Sequence, residues 1–327
     1  MSGLYNWSET EVLIIGGTGS LGKTILKKLV THYRPRGIRV FSRDELKQSE
    51  LQQEVKLYNH KEIPVAYLLG DVRDLQRLSM ACSGVDLIIN CAAMKRVSAC
   101  EYNPIEAVKT NIDGAYNIIE AAFLKGVKKV LHVSTDKAVQ PINLYGMTKG
   151  VAEKLFLHAN NYRGRNNITR FSCVRYGNVL GSRGSIIPVF KKLLETQDWL
   201  PITNLKMTRF WITLNNVSQF IIDRSETMQG EEIFVPRMGC LSLVDLCNYL
   251  FPNIEQREVG IRKGEKVHEC LISEEEAKFT TMYKGGFCIG NKEVANVKGA
   301  FVSNDSSSIL TENDLRNMLG LPSSILD

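Results

Sequence analysis

The chain has 327 residues, 44% hydrophobic and 23% charged, with a net charge of +6, values that suit a soluble protein with one large domain or a domain plus a smaller lobe. No basic run is interleaved with aromatics, so nucleic acid ranks low as a partner, and the mild basicity points to a few Arg and Lys meeting small phosphates. Eight cysteines without a C-x-x-C pair predict buried thiols in a reducing cytosol and no metal site; with no basic-then-apolar leader and no long apolar run, a cytoplasmic protein outside the membrane is expected.

Val12 to Ile15 is a short, fully apolar run, as in a strand buried on both faces. It enters Gly16-Gly17-Thr18-Gly19-Ser20-Leu21-Gly22, after which helical periodicity begins. Glycines at 16, 19 and 22 permit a tight turn, close approach of a pyrophosphate and close helix packing. The spacing is G-x-x-G-x-x-G, at the strand-to-helix junction a dinucleotide site requires. The second strand, Ile38 to Phe41, ends at Ser42-Arg43-Asp44. A hydroxyl and a guanidinium there suit the 2′-phosphate of NADP better than the bare ribose of NAD. A third strand, Ala66 to Val72, ends with Asp71 placed to take an adenine amino group and Val72 beside it. A fourth, Val85 to Ala93, ends in the small residues Ala92 and Ala93, which let the backbone approach the cofactor. A long helix over 104–124 crosses back, and a fifth strand, Val130 to Val133, stops at Ser134.

The stretch Ser134-Thr135-Asp136-Lys137 follows, then a loop with Pro141, and a helix capped by Asn143 that carries Tyr145 and Lys149 one turn apart. A phenol is a poor base at neutral pH. An adjacent ammonium and an oxidised nicotinamide ring favour its phenolate, so Tyr145 can take a proton from a sugar hydroxyl. Thr169 to Val174 reads as a sixth strand leading into Arg175-Tyr176-Gly177-Asn178. Alternation of strand and helix means an α/β fold with a doubly wound parallel sheet, whose ligands sit beyond the strands' carboxyl ends. The pattern changes at Gly181. The sequence predicts a nucleotide-binding domain over 1–180, rejoined by 212–237, and a smaller lobe from 181–211 and 238–327.

Together these residues resemble the extended short-chain dehydrogenase/reductases, with their NAD(P)-binding Rossmann fold, and within them the inverting UDP-N-acetylglucosamine 4,6-dehydratases that open pseudaminic-acid synthesis. The resemblance rests on GGTGSLG at 16–22, SRDELKQSE at 42–50, GDVRD at 70–74, STDKA at 134–138, PINLYGMTK at 141–149, RYGNV at 175–179, GSRGSIIP at 181–188, MTRFWIT at 207–213 and GIRKGEKVHE at 260–269. It implies NADP as cofactor, UDP-N-acetylglucosamine as substrate and a homo-oligomer, hexameric in size. Tyr145 would deprotonate the sugar 4-hydroxyl with Lys149 beside it, Thr135 would hold the 4-oxygen, Lys137 would remove the C5 hydrogen and Asp136 would protonate the departing 6-hydroxyl. Lys95, Asn178, Arg209, Arg262 and Glu265 match positions that meet the sugar, diphosphate and ribose, with Lys95 also near the cofactor. Independently of the resemblance, elimination beside a ketone needs one acid and one base near neighbouring carbons, which adjacent Asp and Lys supply. Desolvation and the cationic ring would lower the Lys137 pKa towards a neutral amine. The chain departs from the family's pattern at Ser98, where proline is usual, and at Ser303-Asn304-Asp305, where Ser-His-Asn is usual; both could touch the sugar pocket.

Other readings of the same residues are a dehydratase that retains C5 or releases the 4-keto-5,6-ene, a dehydrogenase that releases reduced cofactor, and a non-enzymatic NADP-sensing regulator. Intact Tyr145 and Lys149 speak against the regulator, and Asp136-Lys137 against a plain dehydrogenase or a 4-epimerase.

Overall fold

The structure, a computed structural model, describes residues 5–162, 164, 168–182, 184–290 and 295–322. Six strands, β1 (Glu11–Ile15), β2 (Gly37–Ser42), β3 (Val65–Leu69), β4 (Leu87–Asn90), β5 (Lys129–Val133) and β6 (Arg170–Val174), pair in parallel in the order β3-β2-β1-β4-β5-β6. Val12, Leu13, Ile14 and Ile15 of β1 are fully buried because helices cover both faces of the sheet. Strand order reverses between β1 and β4, where Ile15 lies opposite Asn90 and the two chains leave the sheet side by side. A crevice opens at such a reversal.

The helix Leu214–Thr227 returns to this domain, and the strand Ile233–Pro236 pairs in parallel with β6. The antiparallel hairpin Thr280–Tyr283 and Gly286–Ile289 then extends the same sheet. This corrects the expected lobe boundary: residues 280–289 complete the main sheet instead of joining the smaller lobe. Their alternation went unread because Gly285, Gly286 and Gly290 break the pattern around very short strands.

The lobe has its own core, in which Leu180, Phe190, Leu200, Trp211, Leu241 and Leu246 pack together. Its strands Asn178–Leu180, Thr208–Thr213 and Gly239–Ser242 form one small sheet, and Trp199–Ile202 pairs with Glu255–Glu258. Arg183, in the loop entering the lobe, lies outside the described residues.

The helix expected over 104–124 is interrupted. It runs Pro104–Val108, opens into a wider π-type turn at Lys109–Asp113, and resumes as Gly114–Lys125. Such turns aim side chains that a regular helix could not. Here Asn111 brackets the Met94 backbone, accepting from its N–H at 2.8 Å and donating to its carbonyl at 3.0 Å, and also donates to Thr148 Oγ1 at 3.0 Å. Gly114 within the second piece lets Val72 pack against the helix backbone.

Arg175, 2% exposed, ties the sheet to the segment after the lobe. Its guanidinium binds Glu153 at 3.0 and 2.8 Å, Glu276 at 2.8 and 2.9 Å, and the Leu271 carbonyl at 2.8 Å. All five of its N–H donors are used. Removing one partner of a buried ion pair strands the others' charges. Arg175→Met should therefore lower unfolding free energy by about 3–5 kcal/mol in chemical denaturation. Adding Glu153→Leu and Glu276→Leu should recover part of that loss; no recovery would show that the cost is lost packing and not stranded charge.

Candidate active site

A cleft of about 680 Å³ opens at the β1/β4 reversal and is lined by every residue of the Gly16–Gly22 loop except Gly17. Gly16 has φ +77°, and a Cβ there would meet the Ala92 amide nitrogen at 2.8 Å. A Cβ on Gly22 would meet the Gly17 Cα at 2.6 Å. The loop therefore hugs both its neighbouring strand and the helix Ser20–Lys28, whose N-terminus faces the cleft. Backbone N–H groups and the positive helix end are suited to a pyrophosphate. Ser42, Arg43, Val72, Ala92, Ala93 and Lys95 line the same cleft, as expected, and so do Thr135, Tyr145 and Lys149. The arrangement fits a dinucleotide.

One cofactor-side expectation changes in detail. Asp71 lies in the turn after β3, and its carboxylate is held by Arg73 at 2.7 and 3.0 Å, with Arg43 at 3.5 Å. Burial pushes that carboxyl up, but hydrogen bonds from Arg73 more than reverse it and hold it below its usual range. It is an anchor for two arginines, not an open acceptor for adenine. Lys47, which sequence reading passed over, joins Arg43 on the rim and pairs with Asp44. Its place in the first turn of the helix Glu45–Lys56, just after Arg43, was the available signal.

The polar end of β5 carries the densest group of charges. Asp136 is fully buried, and its Oδ1 accepts from Thr135 Oγ1 at 3.0 Å and from Lys137 Nζ at 3.0 Å. Lys137 also lies 3.1 Å from Glu269 Oε1 and 3.4 Å from Asn178 Oδ1. Asp136 Oδ2 and Glu269 Oε2 are buried with no hydrogen-bond partner among the described residues. The helix Leu144–Ala159 packs directly on this turn, and Gly146 leaves no room for a Cβ against the Lys137 carbonyl. Glu269 is 2% exposed and is held in place by Ser303 Oγ, which accepts from its backbone N–H at 2.9 Å. Sequence reading missed Glu269, although it closes the quoted stretch GIRKGEKVHE.

The Lys137 expectation is overturned. Burial would lower its pKa, but the Asp136 and Glu269 carboxylates more than reverse this and hold it above the usual lysine value, as an ammonium. Burial raises Asp136 despite Lys137. Burial would also raise Glu269, but Lys137 and Arg209 pull it below the usual range. Tyr145 is a buried phenol in this structure. Burial pushes its phenol up to about 12, opposed by hydrogen bonding from Thr135 and the charge of Lys137. Lys149 Nζ donates to the Val133 carbonyl at 2.6 Å and lies 2.8 Å from His132 Nε2.

The expected substrate residues separate into two groups. Asn178 joins the Lys137 cluster. Arg209 turns inward: it donates to the carbonyls of Thr208 at 2.7 Å, Lys266 at 3.0 Å and Val267 at 3.1 Å, and sits 3.9 Å from Glu269. Its guanidinium thus clasps the segment that leads to Glu269. Arg262 is exposed and lies 3.8 Å from Glu265, on a turn joined to the cleft helix where Asn143 Nδ2 donates to the Gly264 carbonyl at 2.7 Å. Ser98 and Asn304 are both exposed. Ser303, fully buried, serves the backbone of Glu269.

A family model described as polysaccharide biosynthesis protein matches residues 12–290. The chain belongs to the polysaccharide biosynthesis protein family. A relative from Campylobacter jejuni subsp. jejuni serotype O:2, named UDP-N-acetylglucosamine 4,6-dehydratase (inverting), is 48% identical over 284 residues, covering 86% of this chain and 83% of its own. A relative from Rickettsia bellii, named UDP-glucose 4-epimerase, is 38% identical and covers 82% of this chain and 79% of its own. The X-ray structure of Pen from Bacillus thuringiensis superposes with TM-score 0.88 at 38% identity, over 96% of this chain and 97% of Pen. At 21% identity, the fold alone is shared with DesIV, a dTDP-glucose 4,6-dehydratase from Streptomyces venezuelae, at TM-score 0.68, over 79% of this chain and 87% of DesIV. Among the described residues no helix is long and apolar enough to cross a membrane.

Proposed function

We propose that this protein is an inverting UDP-N-acetylglucosamine 4,6-dehydratase that works with a nicotinamide cofactor, NADP by preference. The observation that carries this reading is the contact at 3.0 Å between fully buried Asp136 and partly exposed Lys137, at the strand end beside Tyr145. Oxidation at C4 needs only a base at the 4-hydroxyl. An additional acid and base, sealed from water, is what elimination requires. The 48% identical relative supports the same reading.

A nicotinamide cofactor held by the Gly16–Gly22 loop and the Arg43 rim would supply the hydride acceptor for C4 and the hydride donor for C6. Tyr145, as the phenolate that the cationic ring of a bound oxidised nicotinamide would favour, receives the proton of the 4-hydroxyl, and Thr135, which touches Asp136, steadies the 4-oxygen. The 4-ketone acidifies C5. One proton transfer from the Lys137 ammonium to Asp136 yields an amine and a carboxylic acid together, the two forms that the next step needs. The amine removes the C5 proton, the C5–C6 double bond forms, and Asp136 gives its proton to the departing 6-hydroxyl, which leaves as water. Glu269 and Asn178 then hold the regenerated ammonium. Lys137 cannot reprotonate C5 on the opposite face, so water or another group does so, which inverts the centre. Arg262 and Glu265 meet the nucleotide from the exposed turn, and Lys95 meets the sugar at the cleft. A homo-oligomer, hexameric in size, follows the same resemblance, and exposed Tyr102, Ile105 and Tyr116 offer an apolar face for it.

The Rickettsia relative favours one other reading, 4-epimerisation, which shares the C4 oxidation but returns hydride to C4. Proton NMR of the reaction in heavy water separates them. The dehydratase gives a C6 methyl and a deuterated, inverted C5. An unchanged C6 hydroxymethyl with altered C4 means epimerase; vinyl signals or a D-configured, deuterated C5 mean elimination without inversion. No turnover with any nucleotide sugar would favour a cofactor-sensing regulator.

NADP preference is read from Arg43, Ser42 and Lys47 on the rim. Charge-assisted contacts of this kind are worth enough that Arg43→Ala should weaken NADP by about tenfold or more and NAD far less, measured by titration calorimetry. Equal losses for both cofactors would remove Arg43 from the 2′-phosphate.

A further inference from the structure

The Lys137 ammonium has two carboxylates to which it can give a proton. Asp136 Oδ1 lies 3.0 Å from Nζ, and Glu269 Oε1 lies 3.1 Å from it. Distance alone does not choose between them. The choice matters, because elimination needs the acid on Asp136. A proton lodged on Glu269 would leave Asp136 ionised beside the departing hydroxyl.

Arg209 separates the two. It stands on the strand Thr208–Thr213 and is 7% exposed. Nη1 donates to the carbonyls of Thr208 at 2.7 Å and Val267 at 3.1 Å. Nη2 donates to the Lys266 carbonyl at 3.0 Å and to Met207 Sδ at 2.8 Å. These four bonds use both N–H groups of each terminal nitrogen. The remaining donor nitrogen, Nε, lies 3.9 Å from Glu269 Oε1. The guanidinium therefore has no free fork for a diphosphate, and it cannot leave Glu269 without breaking the four bonds that seat it. Glu269 thus faces two cations, Lys137 and Arg209. Asp136 faces one: among the described residues its only ion-pair partner is Lys137, and the neutral Thr135 hydroxyl donates to it at 3.0 Å. A second adjacent cation favours carboxylate over acid.

The other groups around the cluster do not reverse this order. Lys266 sits on Glu269's own segment, with Nζ donating to the Val139 carbonyl at 2.6 Å. Asn178 and Ser303 carry no charge. Tyr145, on the cleft helix, and Tyr176, after β6, are phenols that burial keeps protonated. Burial holds His268 below its usual value and pushes the Cys270 thiol up to about 11. Burial also raises Asp136, whereas Lys137 and Arg209 more than reverse the effect of burial on Glu269. Two carboxyl groups pushed apart in this way divide the roles of acid and standing anion.

We propose that Arg209 is a positioning residue for the elimination: by holding Glu269 as a permanent anion, it directs the proton that Lys137 gives up to Asp136. This deepens the dehydratase reading and rests on it. A Lys137 N–H bond breaks and the Asp136 O–H bond forms. Glu269 stays charged throughout, paired with Arg209 while Lys137 is an amine and with both cations once the ammonium returns.

The assignment can be read without turnover. In the full-length protein with ¹³C-labelled aspartate and glutamate carboxyls, the two signals are identified by their loss in Asp136→Asn and Glu269→Gln. As pH falls, wild-type Asp136 should take up its proton before Glu269 does. Arg209→Gln should raise the Glu269 midpoint by about one pH unit or more. Arg209→Lys, which restores the charge, should return it towards the wild-type value. Glu269 protonating first in the wild type, or an unmoved Glu269 midpoint in Arg209→Gln, overturns the proposal. The wild-type order decides alone if Arg209→Gln does not fold. In single turnover, Arg209→Gln should slow formation of the C6 methyl by about tenfold or more relative to reduction of the nicotinamide. Calorimetric titration with UDP tests the rival role: lost UDP affinity with both midpoints unmoved would make Arg209 a diphosphate ligand and overturn the proposal. A wild-type protein that forms no 6-deoxy product would count against the dehydratase reading, while the order of the two midpoints would still decide the carboxyl assignment.

Discussion

Two carboxylates share one ammonium where β5 ends, and the surrounding structure serves to keep those three charges together out of water. Asp136, Lys137 and Glu269 come from two distant parts of the chain. Taking such groups from solvent is costly unless geometry and hydrogen bonds compensate. Thr135, Asn178 and Arg209 supply the compensation from three directions. Arg209 in turn is held by backbone carbonyls on the loop segment leading to Glu269, so the lobe is aligned to the sheet through the same cluster. The lobe does more than cover the cleft: it delivers the second carboxylate.

The cofactor side is governed by close approach instead of charge. Gly16 against Ala92 and Gly22 against Gly17 leave no space for side chains at the crevice. Gly146 plays the corresponding part for the turn after β5, letting the Tyr145 helix seat on the Lys137 carbonyl. Tyr145 faces the cleft with Lys149 beneath it, while the turn bearing Asp136 and Lys137 packs at that helix's first turn.

The parallel sheet was legible because β1, β4 and β5 read as short apolar runs bounded by polar or small residues. The Gly16–Gly22 loop, Tyr145 and Lys149 were legible because motif and context agreed. What failed were charges whose state depends on partners remote in sequence. Lys137 looked like a residue that burial would neutralise, because Glu269 was not in view. Asp71 looked free until Arg73, two residues on, took its carboxylate. Arg209 looked like a diphosphate fork, but the fold supplies carbonyls that it must satisfy. The break at Lys109–Asp113 left no signal in periodicity, since a π-type turn shifts the helical face without changing composition.

The central claim is that Tyr145 takes the 4-hydroxyl proton as C4 gives its hydride to a nicotinamide, while the Asp136–Lys137 pair eliminates at C5 and C6. The most direct measurement mixes the cofactor-loaded Lys137→Ala protein with UDP-N-acetylglucosamine and follows the absorbance of reduced nicotinamide in a single turnover, with NMR of the sugar. The account predicts that reduced cofactor builds up towards one per active site while the 6-hydroxymethyl stays intact. A C6 methyl formed at near wild-type rate, or no reduced cofactor at all despite bound substrate, would contradict it.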